Sequence, residues 1–126
     1  MSKTEMTSED VRVLADLGYV ALSRGLDQHA MAIFQGVKTA RPQGEAGAIG
    51  IALVHLLRGD MDTAIKLLRG AGPGDAARTF LGIALARHGD VDEAKKLLTN
   101  VATTTKGTPH GNLAAETLAS LGSGKP

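Results

Sequence analysis

One landmark recurs three times in this chain. Arg24-Gly-Leu-Asp-Gln-His-Ala30, Arg58-Gly-Asp-Met-Asp-Thr-Ala64 and His88-Gly-Asp-Val-Asp-Glu-Ala94 share one pattern. Each has a basic or basic-capable residue, then glycine, then a polar turn, then alanine five residues past the glycine. From Gly25 to Gly59 is 34 residues and from Gly59 to Gly89 is 30. Spacing of this order marks a repeat architecture, in which each unit buries its apolar face only by stacking on its neighbours.

The register extends outward from the landmarks. Upstream lie Leu17-Gly18, Ile51-Ala52 and Leu81-Gly82; downstream lie Phe34, Leu68 and Leu98, then Val37, Ala71 and Val101. Apolar residues before each glycine recur at helical spacing: Val11, Leu14, Leu17, Ala21 and Leu22 in the first unit. Ala48, Ile51, Ala52 and Leu56 follow in the second, and Phe80, Ile83, Ala84 and Leu85 in the third. The reading is a helix–turn–helix unit repeated three times. Its turn glycines are expected to be left-handed and to end each first helix. Gly70-Ala-Gly72-Pro-Gly74 cuts the second unit short; without a GK[ST] ending or a preceding strand it reads as a turn, not a phosphate loop.

The ends of the helices carry their own signals. Thr7-Ser-Glu-Asp10 reads as a capping-box start. Asp60 or Asp62, and Asp90 or Asp92, are expected to cap the second helices. Asp62 with Lys66 and Asp92 with Lys96 are expected as i,i+4 pairs. Gly18, Ala52 and Gly82 are expected to meet Ala30, Ala64 and Ala94, so that paired helices approach closely. Gly111 to Leu121 reads as a further helix covering the open end, with Leu113, Ala114, Leu118 and Leu121 as its apolar set.

Composition excludes several function classes. Aromatics are only 2% of the chain (Tyr19, Phe34 and Phe80), so the core is expected to be built from Ala, Leu, Ile and Val. A net charge of +1 provides no global field for nucleic acid or an anionic membrane. The absence of cysteine removes disulfides, thiolate catalysis and Cys-based zinc sites. His29, His55, His88 and His110 include no i,i+4 pair, so no metal site is expected. No nucleophile–base constellation stands out, so neither an enzyme nor a cofactor is expected. The polar N-terminus and the lack of a long apolar run give a soluble cytoplasmic protein as the expectation.

The pattern Leu17-Gly18, Ala21, Gly25, Ala30, Phe34, Val37, Pro42 resembles the tetratricopeptide (TPR) consensus, and the later units keep most of it. The resemblance implies an all-α superhelix of three TPR units plus a C-terminal capping helix. The implied division is a polar segment over 1–10, units over 11–44, 45–74 and 75–108, the capping helix over 109–121 and a flexible tail over 122–126. In size and layout the chain is similar to the small TPR chaperones of type III secretion, nearest to the needle-subunit chaperones. That resemblance implies a chaperone or adaptor holding an amphipathic helix of a secretion subunit, with a small helical co-chaperone as a further partner. The alternative is a TPR scaffold acting through homo-oligomerisation or a non-secretion partner.

In a TPR stack the first helix of each unit lines the concave face. Its groove positions fall here on Arg12, Ala15, Tyr19 and Leu22, then Ala46, Ile49, Leu53 and Leu56, then Ala76, Thr79, Ile83 and Ala86. Tyr19, Leu22, Ile49, Leu53, Leu56, Ile83 and Ala86 are the expected partner-binding residues. An exposed apolar strip suits a guest helix; the bland alternative is that Ile49, Leu53 and Leu56 are core. Ala15, Tyr19, Gly50 and Leu53 stand where carboxylate-gripping TPRs use Lys, Asn and Arg, which argues against a carboxylate clamp.

Overall fold

The computed structural model describes residues 6–122, and every regular element among them is an α-helix. These are α1 Ser8–Ser23, α2 Asp27–Ala40, α3 Glu45–Leu57, α4 Met61–Arg69, α5 Asp75–His88, α6 Val91–Thr104 and α7 Pro109–Gly122. The first five residues of the polar segment and residues 123–126 of the expected tail lie outside the described residues. Contacts divide the chain into two compact units, one ending at Asp60 and the other beginning at Met61. Among the described residues no helix is long and apolar enough to cross a membrane.

In the first unit α1, α2 and α3 pack on one another. The capping box opens α1: Thr7 Oγ1 accepts from the Asp10 N–H, and the Asp10 carboxylate accepts from the Thr7 N–H, each at 3.0 Å. Phe34 of α2 is the centre of the core, ringed by Val11, Ala15, Ala21, Ala30, Val37 and Val54. The small residue Gly18 makes room for Phe34: a Cβ on Gly18 would stand 2.6 Å from the ring tip. A Cβ on Gly50 of α3 would overlap the base of the same ring. Phe34 therefore fills the space that two glycines leave on two helices.

The second unit repeats the device. A Cβ on Gly82 of α5 would meet Leu98 of α6 at 2.5 Å, so Leu98 fills the space that Gly82 leaves. Ala30, Ala64 and Ala94 are fully buried. α4 has nine residues where α2 and α6 have 14. Pro73 lies in the loop that follows, where its ring and missing N–H do not suit a helix interior. Thr108 Oγ1 accepts from the Gly111 N–H at 3.0 Å at the start of α7. Gly111 lies so close to the Thr105 carbonyl that a side chain there would overlap it.

The three first-helix turns close identically. The N–H of Leu26 bonds to the Ala21 carbonyl, Asp60 to His55 and Asp90 to Leu85, while Gly25, Gly59 and Gly89 bond three residues back. The glycines have φ of 74°, 82° and 100°, which completes three Schellman motifs.

The acid at the third turn differs from expectation. Asp90 occupies an N-cap position but makes no side-chain capping bond. It reaches His88 Nδ1 at 3.0 Å, and Asp62 reaches His88 Nε2 at 2.9 Å. Asp60 lies 3.3 Å from His55, and Asp27 accepts from Arg58 Nε at 2.7 Å. A charged donor is a stronger partner for a carboxylate than a neutral N–H, as in the Asp27–Arg58 pair. With Asp62 so engaged, neither Asp62 with Lys66 nor Asp92 with Lys96 is among the described ion pairs. The hydrogen bond that His88 donates to Asp90, and then the charge of Asp62, raise the His88 pKa above its ordinary value.

Candidate functional site

Each expected groove residue projects from the first helix of its pair, and the structure sorts them by exposure. In the first unit Tyr19 is 38% exposed, while Leu22 and Leu53 are half-buried. Ile49 and Leu56, read from the sequence as exposed groove positions, are buried instead. The reason lies in α3: Ala46, Ile49, Ile51, Leu53, Val54, Leu56 and Leu57 put apolar groups around almost its whole circumference. A helix that is apolar on all sides is stable only when covered on more than one side. Ala15 is also buried, in the core beside Phe34.

The Tyr19 ring meets Phe34 edge-on at 5.1 Å, so its apolar edge anchors in the core. Partial burial, reinforced by Asp16, raises its hydroxyl pKa. The phenol stays neutral and available as a hydrogen-bond donor and acceptor.

In the second unit Ile83 and Ala86 are half-buried and open on a cavity of about 600 Å³. Its other walls are Val91 of α6 and Leu113, Thr117 and Leu121 of α7, with Arg87 and Glu116 adding opposite charges. α7 thus borders this trough. The sequence shows α7 as amphipathic, but only the packing shows that Leu113 and Leu121 face the cavity and that Glu116 and Thr117 line it with them. Thr79, expected in the groove, is fully buried; its hydroxyl donates to the Asp75 carbonyl at 2.7 Å, the usual way to satisfy a threonine inside a helix. Phe80 packs against His110 of α7 at 6.2 Å, edge to face.

Among the described residues, no group of three His, Asp or Glu side chains is placed to hold a metal ion. The arrangement is suited to apolar contact: half-exposed aliphatic and aromatic side chains, with charge at the margins.

No protein-family model matches the chain, and no curated protein matches it by sequence. Solved structures do. The type III secretion translocator chaperone SycD of Yersinia enterocolitica superposes with a TM-score of 0.75 at 16% identity, covering 92% of each chain. PcrH, solved in complex with the chaperone-binding region of PopB, gives 0.70 at 17% identity, covering 88% of this chain and 94% of that one. The TPR domain of Sgt2 from Aspergillus fumigatus gives 0.71 at 18% identity, covering 98% and 89%. At such identities the likeness concerns architecture, and the chain has the all-α fold of tetratricopeptide-repeat proteins.

Proposed function

We propose that this chain is a protein-binding adaptor or chaperone that holds an apolar, amphipathic segment of a secretion subunit. The observation that carries the reading is the open apolar trough beside Ile83 and Ala86, walled by α7. Tyr19, Leu22 and Leu53 offer matching half-exposed surface in the first unit. Each guest Leu or Ile fully buried there would contribute roughly 1.5–3 kcal/mol before ordering costs. A carboxylate-gripping mode is disfavoured because Gly50, where such a site needs a polar side chain, is already occupied by Phe34.

The likeness to SycD and PcrH supports a secretion partner: SycD was solved with a peptide of the translocator YopD and PcrH with the chaperone-binding region of PopB. The size and layout read from the sequence favour a needle subunit as cargo, acting in the cytoplasm with a small helical co-chaperone. Coexpression of the full chain with each candidate decides between cargoes. The expected result is a soluble complex with the needle subunit that Leu53→Asp and Ala86→Asp both weaken. Unchanged binding by both folded variants would refute the groove reading, whereas a complex with a translocator alone would change only the cargo.

A further inference from the structure

We infer that the outer face of α1 is a self-complementary docking surface that pairs two copies of this chain antiparallel. This is independent of the groove reading and concerns a different set of residues.

Two observations on later helices define what the face normally meets. The residues of α3 that correspond to Val13, Leu17 and Val20 are Gly47, Ile51 and Val54. Val54 is fully buried, and a Cβ on Gly47 would stand 2.6 Å from the Lys38 Cα of the covering helix α2. The corresponding residues of α5, Ala77, Leu81 and Ala84, are all buried, in the unit where α4 packs on α5. The same face of α1 is open: Val13 is 50%, Leu17 53% and Val20 48% exposed.

The charge beside the face is open as well. Arg58 bonds to Asp27 at the start of α2, and His88 bonds to Asp62 in the first turn of α4. Each basic residue at the end of a first helix thus takes an acid from the start of the helix that covers it. Arg24 holds the same position at the end of α1. It is exposed and has no ion-pair partner among the described residues.

The occupant must therefore be an antiparallel helix with an acid in its first turn and an apolar stripe along one side. The geometry of α2 on α3 gives the register rule: moving forward from Asp27 to Lys38 matches the same number of steps back from Arg58 to Gly47. α1 meets this specification itself. Glu9 is in its first turn, exposed, with only a 4.0 Å contact to Arg12. If Glu9 of a second copy faces Arg24, four steps forward reach Val13 and four steps back reach Val20. The two valines then face each other and, like the Glu9–Arg24 contact, do so twice, as an isologous interface requires, while Leu17 packs beside its own counterpart and the two exposed Asp16 carboxylates flank the two-fold axis. The patch is one stripe of a single helix with like charges at its centre, so association is weak and reversible.

The test is sedimentation equilibrium of the full chain from about 5 to 500 μM in low salt, where exposed ion pairs are least screened. The expected result is a monomer–dimer equilibrium. Leu17→Asp, on an exposed site and checked for an unchanged helical spectrum, should weaken dimerisation by about tenfold or more. Glu9→Arg and Arg24→Glu should each weaken it, and an equimolar mixture of the two should associate again, because each then supplies the charge the other lacks. A chain that stays monomeric throughout overturns the proposal, including one whose α1 is covered by a different partner when coexpressed. So does a dimer indifferent to Leu17→Asp, or a mixture that associates no better than either variant alone.

Discussion

Gly50→Ala tests the central packing device of the first unit. In an ordinary helix interior, replacing glycine by alanine is favourable by about 0.5–1 kcal/mol, because glycine loses more backbone freedom on folding. Gly36 of α2 provides the reference: it is exposed, and its nearest foreign atom to an added Cβ is Leu14 Cδ2 at an ordinary 3.7 Å. Gly36→Ala should therefore stabilise by that amount. At Gly50 the added methyl overlaps Cγ and Cδ1 of Phe34, short of the usual ~3.5–4.0 Å carbon contact by more than an ångström. The ring cannot swing clear, because its far end already lies against Gly18, where a Cβ would be 2.6 to 2.9 Å from three ring atoms. Overpacking of this kind costs about 1–3 kcal/mol, and a ring held from two helices belongs at the upper end. After subtraction of the propensity gain, Gly50→Ala should destabilise by about 2 kcal/mol. Urea unfolding followed by circular dichroism measures this, with Phe34→Leu in the Gly50→Ala background expected to recover part of the loss. If Gly50→Ala proves as stable as Gly36→Ala, the account of Phe34 as a ring pinned between two glycines is wrong.

Three further outcomes follow from the contacts at the helix ends. Thr7→Ala removes one arm of the capping box and should cost about 1 kcal/mol, with faster hydrogen exchange at the first amides of α1. His88 has its folded pKa raised by Asp90 and Asp62, so its contribution is complete below the unfolded value near 6.5 and is lost as pH rises through the folded value. The wild-type advantage over His88→Gln in thermal midpoint should thus be largest near about pH 6 and shrink toward about pH 9; a pH-independent difference would contradict the two-carboxylate arrangement. Arg69→Ala breaks a two-point contact with Glu93 at 2.8 and 3.0 Å. Both side chains are exposed to solvent, so the loss should be small and vanish in high salt.

Much of the fold is readable from the chain because its signals are local. The glycine ending each first helix, the alanine five residues on and the Thr7-to-Asp10 box all act within a few residues, and the structure has each of them in place. What escapes sequence reading is the choice among partners from different helices. Asp62 has a lysine four residues away and a histidine on another helix, and only packing decides for His88. Gly18 and Gly82 mark a close approach, but not that Phe34 and Leu98 fill it. The candidate site shows the same limit. α3 is apolar almost throughout, so periodicity could not separate buried Ile49 and Leu56 from half-exposed Leu53.

The three Schellman turns have a kinetic consequence. Each is closed by bonds spanning only a few residues, and within each unit the packed helices are neighbours or next neighbours in the chain. Little loop-closure entropy stands between the unfolded chain and its first stable contacts, so such a molecule should fold rapidly, in milliseconds or less. Nucleation can begin at either helical hairpin end and spread by accretion.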